Sequence, residues 1–172
     1  MLLLLACATK LGDDTAATDD TGDTATADCT FLPVDDRLVL EDACVDGVCG
    51  GTMYPDAVLA LGEPDTCAAD HGVASCAWGD VTVSFPDCDH DGAPDEAYVC
   101  DLYEQTIVIM GSWDGASPEG LGLGVPGTCW TEALGPMDGS GWNLGENPWV
   151  HVGIVPSEGP VTSIYLTWNL EE

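Results

Sequence analysis

One short stretch of the chain carries the residues best suited to hold a metal ion. Asp87-Cys-Asp89-His-Asp91-Gly92-Ala93-Pro-Asp95-Glu96 places carboxylates at alternate positions and follows them with a glycine that permits a sharp turn. Ca²⁺ takes about six to eight oxygen ligands. Asp87, Asp89, Asp91 and Asp95, with a backbone carbonyl near Ala93, are the candidate ligands. In the competing reading the same residues form an acidic hairpin turn in an acidic chain. Two tryptophans are candidates for a different chemistry. Trp113 and Trp142 lie in Gly-rich segments, Gly111-Ser-Trp-Asp-Gly115 and Gly139-Ser-Gly-Trp-Asn143. Exposed loop aromatics supply contact area for protein or glycan partners; the alternative is that both rings fold back over a small core.

The spacing Asp87-x-Asp89-x-Asp91-Gly92 resembles the first half of EF-hand, dockerin and thrombospondin-type calcium loops. Tyr98 stands where an EF-hand would place its bidentate Glu, so a complete EF-hand is not expected, and affinity should fall in the roughly 10⁻⁴–10⁻³ M range of extracellular modules.

Other catalytic constellations are poor. The chain contains no G-x-S-x-G elbow, no H-E-x-x-H and no GxxxxGK[ST] phosphate loop. His71, His90 and His151 stand apart, and no CxxC spacing occurs, which argues against zinc. The chain therefore reads as a non-enzyme. Of the nine cysteines, eight follow residue 28. An even set in an exported chain implies disulfides. Proximity favours Cys44–Cys49, Cys67–Cys76 and Cys88–Cys100, leaving Cys29–Cys129 to join the start of the domain to its second half.

The elements that must position these residues are short and alternating. Strands are expected at 37–41, 81–85, 97–103, 105–109, 149–155 and 161–168. Helices are expected at 55–61 and 128–134, stopped by Gly62 and Gly135. The expected fold class is α+β, a mostly antiparallel sheet with two short helices, internally duplicated and disulfide-stabilised. A shift of 73 residues superposes Gly47 on Gly120, Gly51 on Gly124, Ala60-Leu61-Gly62 on Ala133-Leu134-Gly135, and Asp65 on Asp138. Trp78 and Trp149 open the matching strands of the two halves. The first repeat spans 29–110 and the second 111–172, in one compact domain.

Gly51-Thr-Met-Tyr-Pro-Asp-Ala-Val-Leu-Ala-Leu-Gly-Glu-Pro-Asp65, together with Glu119–Gly124 leading into Ala133-Leu-Gly-Pro136, resembles the repeat of the β-lactamase-inhibitor-protein-like and SmpA/OmlA-like superfamily. The resemblance implies small exported modules, often duplicated, in which helical segments pack on an antiparallel sheet. Members inhibit enzymes or act as assembly lipoproteins. The cysteines and the single short helices depart from that pattern.

The N-terminal region points to a location. Leu4-Leu5-Ala6-Cys7 resembles the lipobox of bacterial lipoproteins, with Cys7 as the lipidated residue and 1–6 as the remnant of a signal peptide. Six residues without Lys or Arg are short for such a signal, so the expected start lies upstream. Ala8 in the second mature position favours the outer membrane in a Gram-negative host. Residues 7–28 contain the acidic Asp/Thr tract from Gly12 to Asp28, which has too little apolar surface to fold. It reads as a tether holding the domain off the membrane.

Charge sets the remaining boundary. Thirty-one acidic residues face only Lys10 and Arg37, for a net charge of −29. Such a chain repels phosphate backbones, which excludes nucleic acid as a partner. The sequence thus describes an exported, lipid-anchored binding or structural module at the cell envelope, with the membrane and an envelope or extracellular protein or glycan as partners. The alternative is a calcium-dependent adhesion protein using the Asp87–Glu96 loop; an extracellular hydrolase is more remote. No cofactor is expected beyond the possible Ca²⁺.

Overall fold

A computed structural model describes residues 29–96, 104–145 and 149–169. Eleven elements follow in chain order: β1 (Leu38–Val39), β2 (Cys44–Val45), α1 (Tyr54–Leu61), β3 (Thr66–Asp70), β4 (Val73–Trp78), β5 (Val81–Pro86), β6 (Glu104–Met110), α2 (Gly127–Leu134), β7 (Gly141–Leu144), β8 (Trp149–Val155) and β9 (Ser163–Asn169). β1 and β2 pair as a small ribbon. The other seven strands form one sheet in the order β3-β4-β5-β6-β9-β8-β7, and every neighbouring pair in it is antiparallel. A mostly antiparallel α+β domain with two short helices is therefore the observed architecture.

Alternation creates this sheet. In β5, Val81, Val83 and Phe85 are buried while Thr82 and Ser84 are half-exposed, and β6 repeats the pattern with Ile107 and Ile109 inward. In-register pairing turns these positions into continuous apolar rows. One row runs Cys67–Cys76–Val83–Ile107–Leu166–Val152–Trp142 across all seven strands. Its central members, Val83, Ile107, Leu166 and Val152, are at most 1 % exposed. Burying each such side chain contributes about 1.5–3 kcal/mol.

The two helices and the irregular segments cover this face. Pro55 stands in the first turn of α1, where its missing N–H costs nothing. Gly62 and Gly135 close the helices at φ 85° and 89°, and their N–H groups bond back to the Val58 and Thr131 carbonyls. A side chain at either position would strain the left-handed backbone. The same glycines carry a second contact. Trp78 Nε1 donates to the Gly62 carbonyl and Trp142 Nε1 to the Gly135 carbonyl, both at 2.8 Å. Each indole thus locks a helix end onto the sheet. Among the described residues four strands follow α1 and three follow α2.

Three disulfides brace the cover. Cys29–Cys129 joins the start of the described chain to α2 across a sequence separation of 100. Cys44–Cys49 closes the β1–β2 corner, and Cys67–Cys76 links β3 to β4 at directly paired positions. These are the three pairs that proximity and elimination nominated. The fourth, Cys88–Cys100, lies outside the described residues at Cys100; Cys88 is disulfide-bonded.

β2, β3, β4 and β7 lie outside the expected strands, and 97–103 is outside the described residues. Elsewhere the boundaries move little: β8 has its expected bounds, and both helices begin one residue early. Closing a loop as long as that of Cys29–Cys129 stabilises by about 4–5 kcal/mol on the chain-entropy account. The double substitution Cys29→Ser/Cys129→Ser should therefore lower the unfolding free energy in urea by roughly 3–5 kcal/mol.

Candidate functional site

Three polar assemblies stand out. The first is the acidic turn after β5. Asp87 is buried, 3 % exposed, because the β3–β4 turn lies over it: its N–H donates to the Gly72 carbonyl at 2.9 Å. Asp89 and Asp91 are exposed, yet one carboxylate oxygen from each of Asp87, Asp89 and Asp91 lies within 4.8 Å of the others. His90, at φ 57°, and Gly92, at φ 91°, supply the left-handed residues that curl the backbone around the three carboxylates. Asp95 faces elsewhere, accepting the Cys88 N–H at 2.8 Å. Ala93 donates its N–H to Asp91 at 2.9 Å, while Asp91 N–H bonds Asp89 and Gly92 N–H bonds Asp87. The turn therefore assembles three of the five nominated residues through side chains. Those same carboxylates serve as local acceptors of backbone N–H groups, as they would in a plain acidic turn.

The second assembly corrects an expectation. Trp113 and Trp142, nominated as exposed contact surface, are 8 % and 4 % exposed and belong to the core. Trp142 packs its ring on Trp130, with centroids 6.2 Å apart. Trp113 folds back because Gly115 leaves room for its ring; a Cβ there would collide with it. Its Nε1 donates to Asp46 at 2.9 Å, and the Arg37 guanidinium lies over the ring at 5.2 Å. Arg37 binds Asp46 through Nε at 2.5 Å and Asp114 through Nη1 at 2.6 Å. It is the sole Lys or Arg among the described residues. Its pKa is raised further by hydrogen bonds first to Asp46 and then to Asp114, and the bond from Arg37 holds the Asp114 carboxyl below its usual range.

The third assembly was not foreseen. On the β7–β8 hairpin, Asn143 and His151 are directly paired. His151 Nδ1 lies 2.9 Å from Asn143 Oδ1, and Nε2 lies 3.3 Å from Ser140 Oγ. The order hydroxyl–imidazole–amide echoes a nucleophile, base and orienting group. Both contacts are solvent-exposed, however, whereas such relays work in dry, low-dielectric sites. The arrangement is better suited to orienting an imidazole for hydrogen bonding. Beside it, Trp149 and Asn143 line a shallow depression of about 260 Å³. The sequence signal was weak because Gly141–Leu144 is only four residues long and lies in a Gly-rich stretch.

Cys7 lies outside the described residues. No helix among the described residues is long and apolar enough to cross a membrane. No family model, curated protein or solved structure matches this chain.

Arg37→Ala should leave Asp46 and Asp114 facing each other without their shared cation and uncover Trp113. A loss of about 1 kcal/mol is expected from the Asp46 pair and the ring contact, which are partly exposed and screened. Asp114 has a lowered folded-state pKa, so its contribution is present above the unfolded-state value and disappears as pH falls through the folded one. The stability gap between wild type and variant should consequently narrow in acid, as measured by urea unfolding from neutral pH downward.

Proposed function

We propose that this chain is an exported, lipid-anchored module that binds or scaffolds a partner at the cell envelope without catalysing a reaction. The observation that carries the reading is the disulfide frame: Cys29–Cys129, Cys44–Cys49 and Cys67–Cys76 knit the domain together. Such frames persist in oxidising, extracytoplasmic compartments. Lipidation at Cys7 would hold the domain to the membrane, and residues 8–28 would act as its spacer, placing it at the outer membrane.

The paired helix–glycine–tryptophan locks support a duplicated ancestry of the two halves, with Trp142 rather than Trp149 as the counterpart of Trp78. The likeness to the β-lactamase-inhibitor-protein-like and SmpA/OmlA-like modules belongs with this reading, since both describe helix-on-sheet repeats. Partners compatible with the charge are envelope or extracellular proteins and glycans.

A second reading, calcium-dependent recognition, is favoured by the buried Asp87 carboxylate standing against Asp89 and Asp91. Like charges at that separation repel, and a divalent cation would turn the repulsion into attraction.

Two experiments test these readings. Replacing Cys7 by Ser should move the protein from the detergent-soluble membrane fraction to the soluble extracytoplasmic fraction; retention in the membrane would contradict anchoring. Millimolar Ca²⁺ should raise the melting temperature of the wild type, as a ligand of the native state does, but not that of Asp89→Ala/Asp91→Ala. Equal responses would leave an acidic turn.

A further inference from the structure

The uncovered face of the sheet differs in charge from the rest of the molecule. Among the described residues, α1 and α2 pack against the inward rows, leaving the other face of the sheet without a helix. On that open face the register aligns Ser75–Ser84 and Thr106–Thr167–His151–Asn143, and Val108–Tyr165–Gly153–Gly141 beside them. In a chain of net charge −29, the carboxylates that its strands direct to this side are Asp70 and Glu104, both at strand ends. Seven strands at about 4.8 Å spacing make the face roughly 30 Å wide. Its middle is hydroxyl, amide, imidazole, aromatic and, at Val108, aliphatic, without a carboxylate.

The β7–β8–β9 end of the face has more relief. Trp149 and Asn143 line the depression of about 260 Å³. His151 is oriented by Asn143 and Ser140. Tyr165, 37 % exposed, stands opposite Gly153, which in turn pairs with Gly141. The two glycines lower the surface beside the phenol ring and form a flat shelf. Aromatic faces flanked by oriented hydrogen-bonding groups match a ring that is apolar on its flat side and hydroxylated at its edge.

We propose that this end of the open face binds a neutral glycan, with Trp149 and Tyr165 as stacking platforms and Asn143 and His151 bonding sugar hydroxyls. Charge selects the occupant. An anionic chain is repelled by the surrounding acids, and a cationic one would be drawn to the acidic loops rather than to this patch. A neutral, hydroxyl-rich ligand is not repelled by Glu104, which shares a row with Trp149 through Asn169, and its hydroxyls can donate to that carboxylate. The inference rests on the binding-module reading and names its ligand. Export and anchoring are read by fractionation, so failure here leaves them standing.

The test is an array of neutral gluco-, galacto-, manno- and xylo-oligosaccharides, with sulfated and sialylated chains as controls, probed with the full chain and its bridges intact. At least one neutral series should bind while the anionic ones do not. Affinity should fall at least about tenfold in Trp149→Ala, the loss of one stacking contact. Asn143→Ala alters an exposed side chain outside the core, and should weaken binding severalfold with an unchanged melting temperature; it decides the matter if Trp149→Ala fails to fold. The proposal is overturned if no neutral series binds at millimolar concentration, or if binding survives both substitutions. Sedimentation as a dimer that Tyr165→Asp dissociates would also overturn it, because a second copy would then cover the face.

Discussion

Seven strands in one layer present a wide apolar face, and two eight-residue helices are too small to cover it. Each helix is about 12 Å long against a sheet roughly 30 Å across. The remainder of the cover is irregular chain: the β1–β2 corner, the Gly-rich stretch around Leu121 and Val125, and the inward tryptophans. Irregular chain loses much conformational entropy when ordered. The bridges offset part of that cost by shortening the freedom of the unfolded state, and Cys29–Cys129 does so across the largest loop. The indole bonds at Gly62 and Gly135 then fix where each helix ends above the sheet.

The same constraint distributes the charge. Strand residues are occupied with packing or with the largely uncharged open face, so many of the carboxylates fall in turns and loops. Where loops converge, one cation organises them. Arg37 joins Asp46 of the β1–β2 corner to Asp114 of the loop after β6, and stacks on Trp113 between them. The acidic turn at 87–91 lacks such a cation among the described residues and relies on backbone N–H donors instead. One strongly acidic chain thus yields a cation-clamped corner, a carboxylate cluster and a sheet face whose strand carboxylates, Asp70 and Glu104, stand only at strand ends.

The legible parts of the fold were those with strong local signals. β5, β6, β8 and β9 alternate large aliphatic residues with polar ones, and both helices end at glycine, so their positions were readable. β2, β3, β4 and β7 were not: Ala68, Ala69, Ala74 and Ala77 leave β3 and β4 almost no period-two contrast, while β2 and β7 are only two and four residues long. Pairing to a neighbour, rather than propensity, makes them strands. Trp113 and Trp142 were ambiguous for a related reason: flanking glycines signal a loop equally well whether the ring points out or folds inward. The Ser140–His151–Asn143 contact depends on the register of a strand that local sequence does not announce. The acidic turn was visible as a motif, but the inward turn of Asp95 depends on the Cys88 N–H and could not be read from spacing.

The proposed envelope location requires that the bridges holding the cover be formed in the cell that makes the protein. Thiol trapping with acid quench in the producing cell tests it most directly, with alkylated cysteines mapped by mass spectrometry before any reduction. Cys29, Cys44, Cys49, Cys67, Cys76 and Cys129 should all resist alkylation in the folded protein and become labelled only after a reductant is added. Stoichiometric labelling of either partner of Cys29–Cys129 in the native protein would contradict the account.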